Sequence, residues 1–257
     1  MGTFELPAFH DAGHGYDVFG MSPRAVASAR DRGAFWYETY FRVRSHGIHN
    51  VPARGAAILA ANHAGVLPVD AVVLWLDIAR NTRRVLRPIA DRFIPLLPFI
   101  STLFARTGVV SGTHANVRYL LEHDELLGIF PEGVAGVAKP FSARYQLQGW
   151  RIGHAELAIR HRAPVIPVAI IGSEEAWPLV GKLQRFHAFG APYLPIPASP
   201  VPLPVPFHIH YGSPLALHDR WPPEAADDPE IVETAAREVH DAVADLISVG
   251  LAERRPS

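Results

Sequence analysis

Short apolar runs recur along the chain and alternate with segments of helical periodicity. The apolar runs lie at residues 56–60, 85–90, 126–130 and 165–171, and the helical segments include residues 71–76, 116–123 and 149–162. The run at residues 126–130 carries no charge, as expected for a strand whose two faces are covered by helices. Because alternating strands and helices are typical of α/β proteins, the pattern predicts an α/β domain with a mostly parallel or mixed central sheet flanked by helices.

Arginine and aromatic side chains are interleaved in a helix predicted near the N-terminus. Its start is marked by Ser22, an N-cap residue, and by Pro23 at the first helical position, and it is expected to extend to Tyr40. This mixture suits a helix at a membrane interface, although an ordinary amphipathic helix packed on the domain is the alternative. We predict an N-terminal segment, residues 1–40, with an interfacial helix. The sequence contains no uninterrupted run of about 18 apolar residues, so it predicts no membrane-spanning helix.

Proline interrupts the alternation of strands and helices between residues 176 and 206. Seven prolines space an apolar, almost uncharged run, at positions 192, 195, 197, 200, 202, 204 and 206. Such a run favours extended, polyproline-like backbone. We predict a Pro-rich flap that contacts a membrane or covers an acyl chain, with a long wrapping loop as the alternative.

These segments define the predicted organisation of the chain. Residues 41–220 would form the α/β domain, with 176–206 as a Pro-rich insertion, and residues 221–257 a C-terminal helix packed on it. That helix is expected to begin at Asp228-Pro229. Its inward stripe would comprise Ile231, Ala235, Val239, Ala242 and Leu246.

Composition excludes several classes of function. The net charge of −1 is unlike the basic excess of nucleic-acid-binding proteins. The absence of cysteine excludes disulfides, thiol nucleophiles and cysteine-ligated metals. His208 and His210 share one face of a predicted strand, which suits a metal, but no third ligand stands at a telling spacing. We predict no metal site, no cofactor and no nucleic-acid partner.

The strongest candidate for chemistry follows the apolar run at residues 56–60. Asn62 and His63 lie just past this predicted strand, and Asp70 lies at the mouth of the next helix, as its N-cap. An imidazole with a carboxylate turned towards it is the arrangement of a general base and its orienting acid. Since the chain has 14 histidines, one such pair at a chosen spacing is expected by chance, so the pair needs support from the rest of the chain.

Three further blocks supply that support. Arg106, before a predicted strand end, is suited to bind a phosphate or carboxylate, with an ordinary surface ion pair as the alternative. Pro131 ends an apolar strand, so Glu132 would project where α/β sheets bind ligands, and Gly133 would permit close ligand approach. The run 165–168 contains a proline, which predicts an edge strand or a bulge.

Together and in this order, the four blocks resemble those of the glycerolipid acyltransferase family, which includes the bacterial lysophosphatidic acid acyltransferases. Asn62-His63 with Asp70 resembles its catalytic motif, and Phe130-Pro131-Glu132-Gly133 matches its third block letter for letter. The resemblance covers roughly residues 40–215 and implies a single acyltransferase domain. It implies that His63 and Asp70 are catalytic. It also implies a substrate-binding set of Asn62, Arg106, Pro131, Glu132 and Gly133.

The sequence departs from the family pattern at two points. Six residues, among them Pro68, separate His63 from Asp70, where the family usually has four. The arginine that the family usually carries two residues after the third-block glycine, and that is linked to the acceptor phosphate, is Ala135 here. A phosphate-headed acceptor would therefore need Lys139 or Arg144 in its place, and neutral or bulkier head groups stay open.

The resemblance implies transfer of a fatty acyl group from acyl-CoA or acyl carrier protein to the hydroxyl of a lysophospholipid or related glycerolipid. His63 would deprotonate the hydroxyl, which would attack the thioester directly, without an acyl-enzyme. Backbone N–H groups of residues 62–65 are predicted to stabilise the oxyanion. Such an enzyme would work peripherally at the cytoplasmic face of the cell membrane, with lipid, thioester donor and membrane surface as partners. A lipid-binding protein without catalysis and an acyl-thioester hydrolase are the alternatives.

Overall fold

The computed structural model describes residues 9–64, 68–91, 100–133, 136, 139–183 and 194–254. The strands are β1 (Arg44–His46), β2 (Ala57–Ala61), β3 (Leu86–Ala90), β4 (Val110–Ser111), β5 (Leu126–Ile129), β6 (Val165–Ile171), β7 (Leu179–Leu183), β8 (Leu194–Pro197) and β9 (His208–Tyr211). The helices are α1 (Pro23–Arg32), α2 (Val69–Asn81), α3 (Ile100–Thr107), α4 (His114–Glu122), α5 (Gly153–Arg160), α6 (Ser173–Ala176) and α7 (Pro229–Arg254).

A seven-stranded sheet in the order β1-β9-β6-β2-β5-β3-β4 forms the centre of the fold. Its neighbouring strands pair in parallel, except for the antiparallel pair of β6 and β9. Alternate residues of β2 point to opposite faces: Leu59 packs in the core under α2, and Ile58 packs in the core under α4, α5 and α7. The predicted α/β fold with a mostly parallel sheet flanked by helices is confirmed.

The register of the two central strands determines where the candidate residues meet. β2 and β5 pair in parallel, with Ala60 opposite Ile129. His63 and Glu132 each follow three residues after these partners. Two parallel strands that end side by side deliver their following loops to the same edge of the sheet. The pairing of β2 with β5 therefore places His63 and Glu132 at the same edge of the sheet.

Pro167 lies in a central strand, because β6 has β9 on one side and β2 on the other. The expectation of an edge strand is therefore wrong, and the alternative, a bulge, is correct. Between the pairs Val168–Tyr211 and Val165–Leu215, β6 advances by three residues while the chain after β9 advances by four. The carbonyl oxygen of Pro167 accepts the N–H of Gly212 at 2.9 Å, so the proline, which has no N–H to donate, lies where the pairing of β6 with the chain after β9 is irregular.

The N-terminal helix is shorter than predicted. α1 begins after Ser22, whose side chain accepts the N–H of Ala25 at 3.4 Å, and ends at Arg32. A separate π-helical segment, Phe35–Tyr40, follows it. The prediction of one continuous α-helix up to Tyr40 is wrong, because the α-helix is interrupted at Gly33, a residue of low helix propensity, and continues as the π-helical segment.

Strand pairing replaces the predicted polyproline backbone in part of the Pro-rich stretch. β7 and β8 form a two-stranded antiparallel sheet, and Pro195 and Pro197 lie within it. Residues 184–193 lie outside the described residues. The chain after β8 lies against the N-terminal region, where Tyr40 Oη donates to the carbonyl of Pro202 at 2.6 Å.

The C-terminal helix α7 begins at Pro229, as predicted, and packs against β6 and α5. Ala235 and Val239 are buried as expected, but Ile231, Ala242 and Leu246 are only half-buried. Fully buried positions of α7 are Val232, Ala235, Ala236, Val239, Val243, Ile247 and Gly250. The buried stripe of α7 is therefore shifted by about one residue from the predicted stripe. Among the described residues, no helix is both long and apolar enough to cross a bilayer.

Candidate active site

His63 and Asp70 form a hydrogen-bonded pair at the carboxyl end of β2. His63 Nδ1 lies 2.7 Å from Asp70 Oδ2, and the Asp70 side chain is buried in the first turn of α2. The carboxylate also accepts the backbone N–H of Ala64 at 2.8 Å and of Ala71 at 2.7 Å. The N-cap of α2 is Pro68, so the predicted N-cap role of Asp70 is wrong. The two residues nevertheless meet despite the longer spacing between them.

The contact with Asp70 fixes the tautomer of the His63 ring. A carboxylate oxygen accepts a hydrogen bond, so Nδ1 carries the proton and Nε2 is left as the basic nitrogen. The His63 side chain is 14% exposed, and the ring of Phe130 packs against it with 4.5 Å between centroids. Neutral His63 thus presents one proton-accepting nitrogen from a largely apolar wall.

The surroundings of His63 raise its pKa above the ordinary value. Burial alone would lower the pKa, but the nearby negative charge of Asp70, its hydrogen bond, and the charges of Glu132 and Asp91 together outweigh burial. Imidazolium is therefore stabilised in this site. A base whose protonated form is stabilised accepts a proton from a weakly acidic hydroxyl more readily.

Glu132 connects the loop after β2 with the chain that precedes α5. Its Oε1 accepts the backbone N–H of His63 at 2.9 Å, and its Oε2 accepts the backbone N–H of Gln148 at 2.8 Å. The side chain is only 2% exposed. Both carboxylate oxygens are thus engaged by the protein itself, and the geometry favours a positioning role for Glu132.

Lys139 is buried between two carboxylates. Its Nζ lies 2.9 Å from Glu174 Oε1 and 3.7 Å from Glu132 Oε2, and it donates to the carbonyl of Gln146 at 3.0 Å. The side chain is 2% exposed. The ammonium group therefore neutralises these buried carboxylates and donates to groups of the protein itself.

Asn62 ties the end of β2 to the central strand β6. Its Oδ1 accepts the N–H of Ile170 at 2.7 Å, and its Nδ2 donates to the carbonyl of the same residue at 3.0 Å. A second tie comes from Ser173 Oγ, which donates to the carbonyl of Ala64 at 2.6 Å. Asn62 is 1% exposed, so its contacts hold the backbone beside His63 in place.

Two of the backbone N–H groups predicted to stabilise the oxyanion already donate hydrogen bonds to side chains of the protein. The N–H of His63 is bound to Glu132, and the N–H of Ala64 is bound to Asp70. The assignment of these two amides to the oxyanion is therefore wrong, because each satisfies a buried carboxylate. Gly65, the last residue of that prediction, lies outside the described residues.

Arg151 is the cation of this region that the sequence did not single out. Its backbone N–H donates to the carbonyl of Pro131 at 3.0 Å, and its side chain is 68% exposed. Gly133 has φ +54°, and a Cβ there would come within 3.1 Å of the Arg151 guanidinium. Arg151 also lies 3.5 Å from Asp91, whose charge acts on His63. No family block marked Arg151, and only its fold position reveals it.

Arg106 and Arg144, which the sequence predicted as binding residues, lie apart from the hydrogen bonds around His63 and Asp70. Arg106 Nη1 donates to the carbonyl of Gly20 at 3.3 Å, and the guanidinium stacks 3.8 Å from the centre of the Tyr16 ring. It lines a cleft of about 510 Å³ that Ala90, at the end of β3, also lines. Arg144 is exposed and lies over the Phe141 ring at 4.8 Å.

A metal-ligating set is found elsewhere in the described part of the chain. There, one group of at least three histidine, aspartate or glutamate side chains could hold an ion, and it comprises His46, His208 and His210. His46 was missed because it lies on β1, far along the chain from β9. Parallel pairing of these two strands places His46 opposite His210.

The sequence model of the family described as Acyltransferase matches residues 42–171, which is half of the chain. The chain belongs to the acyltransferase family. The matched span contains the pair His63 and Asp70 and the positioning carboxylate Glu132. The family predicted from the four sequence blocks is thereby confirmed.

Relatives of this acyltransferase are found in bacteria and in animals. An uncharacterized protein of Mycobacterium tuberculosis is 34% identical over 252 residues, which cover 93% of this chain and 70% of the relative. A Bos taurus protein named "DGAT1/2-independent enzyme synthesizing storage lipids" is 27% identical over 207 residues, which cover 79% of this chain and 58% of the relative.

The fold of this acyltransferase is also similar to a solved structure. That structure is the 1-acyl-sn-glycerophosphate (LPA) acyltransferase PlsC from Thermotoga maritima, with a TM-score of 0.58 and 17% identity. The match covers 91% of this chain and 80% of that one. At this identity the likeness shows a shared fold.

Proposed function

We propose that this acyltransferase moves a fatty acyl group from acyl-CoA or acyl carrier protein to the hydroxyl of a lysophospholipid or related glycerolipid. The observation that carries the proposal is the 2.7 Å contact between His63 Nδ1 and Asp70 Oδ2. A hydroxyl attacks a thioester slowly unless a base removes its proton, and an imidazole oriented by a carboxylate is such a base. The glycerolipid class is supported by the names of the Thermotoga and bovine proteins.

The proposed reaction proceeds in two steps on the bound substrates. His63 Nε2 accepts the proton of the acceptor hydroxyl while its oxygen bonds to the thioester carbonyl carbon. The C–S bond then breaks, and the imidazolium returns the proton to the departing thiolate, so that an ester and a free thiol result. Asp70 stabilises the imidazolium between the steps. Glu132 keeps the backbone of His63 in position, which its hydrogen bond at 2.9 Å supports.

We assign the polar head group of the acceptor to Arg151. Its guanidinium is exposed, it lies beside Gly133 of the third block, and its ion pair with Asp91 is long at 3.5 Å. Lys139, the alternative at the sequence level, is already neutralised by Glu174 at 2.9 Å. An exposed guanidinium binds a phosphate through two parallel hydrogen bonds, which supports an anionic acceptor. The name of the bovine relative supports neutral glycerolipids as the second set to test.

We also propose peripheral contact with the cytoplasmic face of the membrane, where thioester donors are present. Large apolar side chains are exposed at Phe35 (55%) and Trp36 (44%) in the π-helical segment, and at Val201 (57%) and Leu203 (43%) after β8. The hydrogen bond from Tyr40 Oη to the carbonyl of Pro202 joins the π-helical segment to the chain after β8. Several large exposed apolar side chains on neighbouring segments are typical of membrane or protein contacts.

The proposal is tested by incubating the purified protein with a panel of acyl-CoA donors, with and without acceptors, and measuring free CoA. The acceptors are lysophosphatidic acid, lysophosphatidylcholine and mono- and diacylglycerol. Acceptor-dependent CoA release supports the transferase. Acceptor-independent release indicates a thioester hydrolase, and no release with retained lipid binding indicates a lipid-binding protein.

The head-group assignment is tested within the same panel. Arg151→Ala should raise KM for lysophosphatidic acid by about 10-fold and leave a neutral acceptor unaffected, because a charge-assisted pair is lost. Arg118→Ala, an exposed arginine paired with Glu122 on α4, is the matched control. An equal loss for charged and neutral acceptors would contradict the assignment.

A further inference from the structure

Three histidine rings converge where β1 pairs with β9. The parallel register sets His46 opposite His210, and His208 lies two residues earlier on the same face of β9. The ring of His46 stacks on that of His210 with centroids 4.3 Å apart and planes 2° apart, and on that of His208 at 5.5 Å. One nitrogen from each ring lies within 4.8 Å of the others.

Within the described ranges, each ring keeps one buried nitrogen without a hydrogen-bond partner. His46 Nε2, His208 Nδ1 and His210 Nε2 are buried and have no hydrogen-bond partner among the described residues. His208 and His210 are only 8% and 5% exposed. Buried polar atoms are ordinarily satisfied, so three in one cluster need an explanation.

The C-terminal helix α7 packs beside the three histidines. α7 approaches at Gly250, where a Cβ would meet His210 Nε2 at 2.7 Å. One turn further along, Glu253 Oε2 lies 3.9 Å from His46 Nδ1 and 3.9 Å from His210 Nε2. A half-exposed carboxylate is thus held beside the imidazoles at a distance that a side-chain rotation closes.

We propose that His46, His208 and His210, with Glu253 as the fourth ligand, bind a divalent transition-metal ion of the zinc type. Imidazole and carboxylate are ligands that Zn²⁺ takes in tetrahedral sites, at about 2.0–2.2 Å. Ligand atoms in such a site lie about 3.3 Å apart, so nitrogens that now lie within 4.8 Å of one another must approach by up to about 1.5 Å. Half-exposed His46 has the freedom to do so. The ion would bind one nitrogen of each ring and, through Glu253, fasten α7 to the edge of the sheet.

One positive charge also lies near the cluster, because the guanidinium of Arg254 acts on His208. Arg254 is itself engaged by Glu175 at 2.7 Å, which offsets its charge near the cluster.

The test uses the untagged full chain, freed of metal with EDTA and titrated with ZnCl₂ by calorimetry and with CoCl₂ by absorption spectroscopy. We expect one Zn²⁺ per chain, visible bands of tetrahedral Co²⁺ and a rise in Tm with Zn²⁺. His46→Asn should weaken Zn²⁺ binding at least 100-fold and abolish the Tm response, and Glu253→Gln should weaken binding about 10-fold. His46 is half-exposed, so its variant is expected to fold, which circular dichroism checks.

His114→Asn serves as the matched control, since His114 is exposed on α4, and it should bind Zn²⁺ like the wild type. The proposal is overturned if the wild type binds no Zn²⁺ stoichiometrically. It is equally overturned if folded His46→Asn binds as the wild type does, or if His114→Asn loses as much affinity as His46→Asn. These readouts do not involve acyl transfer.

Discussion

Glu132 accepts the backbone N–H of His63 at 2.9 Å, so the residue after β5 holds the residue after β2 by its main chain. The other oxygen of Glu132 accepts the N–H of Gln148 at 2.8 Å. A carboxylate that spans two loops in this way fixes the height of the imidazole above the sheet. The link joins the third sequence block to the first, and it gives a physical reason for a glutamate at this position.

Glu132→Gln is therefore expected to lower kcat more than it changes KM. The amide keeps one acceptor, but its NH₂ group faces an N–H donor, so one of the two loops is released. A misplacement of about 1 Å costs roughly 100-fold in rate. Steady-state kinetics with a saturating donor check this. Glu125→Gln, which removes a partly buried carboxylate paired with Arg87, should keep kcat per folded molecule, and equal kcat losses in both variants would contradict the positioning role.

Asp70→Asn is expected to lower kcat by about 1,000-fold, because the amide no longer fixes the tautomer or stabilises imidazolium. Asp77→Asn is a matched control on the same helix. Asp77 is also fully buried, but it accepts from Tyr37 and Tyr211, away from His63. We expect a lower Tm and a retained kcat for Asp77→Asn. The opposite pattern would mean that Asp77 is the functional carboxylate.

The pH dependence of kcat/KM should follow the ionisation of His63. The base acts when unprotonated, and its folded pKa is raised above about 6.5, so activity should fall as the pH decreases through that raised pKa. In Asp70→Asn the main cause of the raised pKa is removed, so the acid limb should move to lower pH. An unmoved limb in this variant would show that another group titrates.

The same ionisation predicts a stability effect with the opposite dependence on pH. A group whose pKa is higher in the folded state binds protons more tightly there, so it stabilises the fold below its unfolded pKa. That contribution is lost as the pH rises through the folded pKa. Denaturant unfolding of wild type and His63→Gln across this range should show the difference, and parallel curves would argue against a raised pKa.

Membrane contact predicts that the double variant Phe35→Ser, Trp36→Ser loses binding to anionic vesicles. Removing two exposed apolar side chains from the membrane contact should weaken the partition several-fold. Vesicle co-sedimentation measures it. Val249→Ser, at a position 50% exposed on α7, is the control and should bind normally. If the control loses as much binding as the double variant, the contacting surface lies elsewhere.

Much of the fold and the identity of the central residues are encoded locally. The apolar runs predict β2, β5 and β6 closely, because strands buried on both faces carry no polar residues. His63 and Glu132 could be singled out because each follows such a strand directly. The proline at position 167 favoured an edge strand. A central strand tolerates this proline because the pairing strand, far along the chain, has a bulge there.

The side-chain roles depend on contacts that sequence spacing does not reveal. Asn62 and Lys139 looked suited to substrate, yet Asn62 pairs with the backbone of Ile170 and Lys139 with Glu174. Arg151 and His46 carried no motif, and they became candidates only through their neighbours in the fold. Local patterns predict which segments form elements, whereas the pairing of distant segments decides which polar atoms remain available.

If His63 is the proton acceptor of the proposed reaction, the variant His63→Ala lacks the group that activates the acceptor hydroxyl. The measurement is acceptor-dependent CoA release, with Tm recorded on the same samples and the exposed His49→Ala as control. Loss of a general base lowers the rate by about 100- to 10,000-fold, so we predict a loss of that size with a nearly unchanged Tm and a fully active control. Wild-type-like release from a folded His63→Ala protein would exclude His63 as the general base.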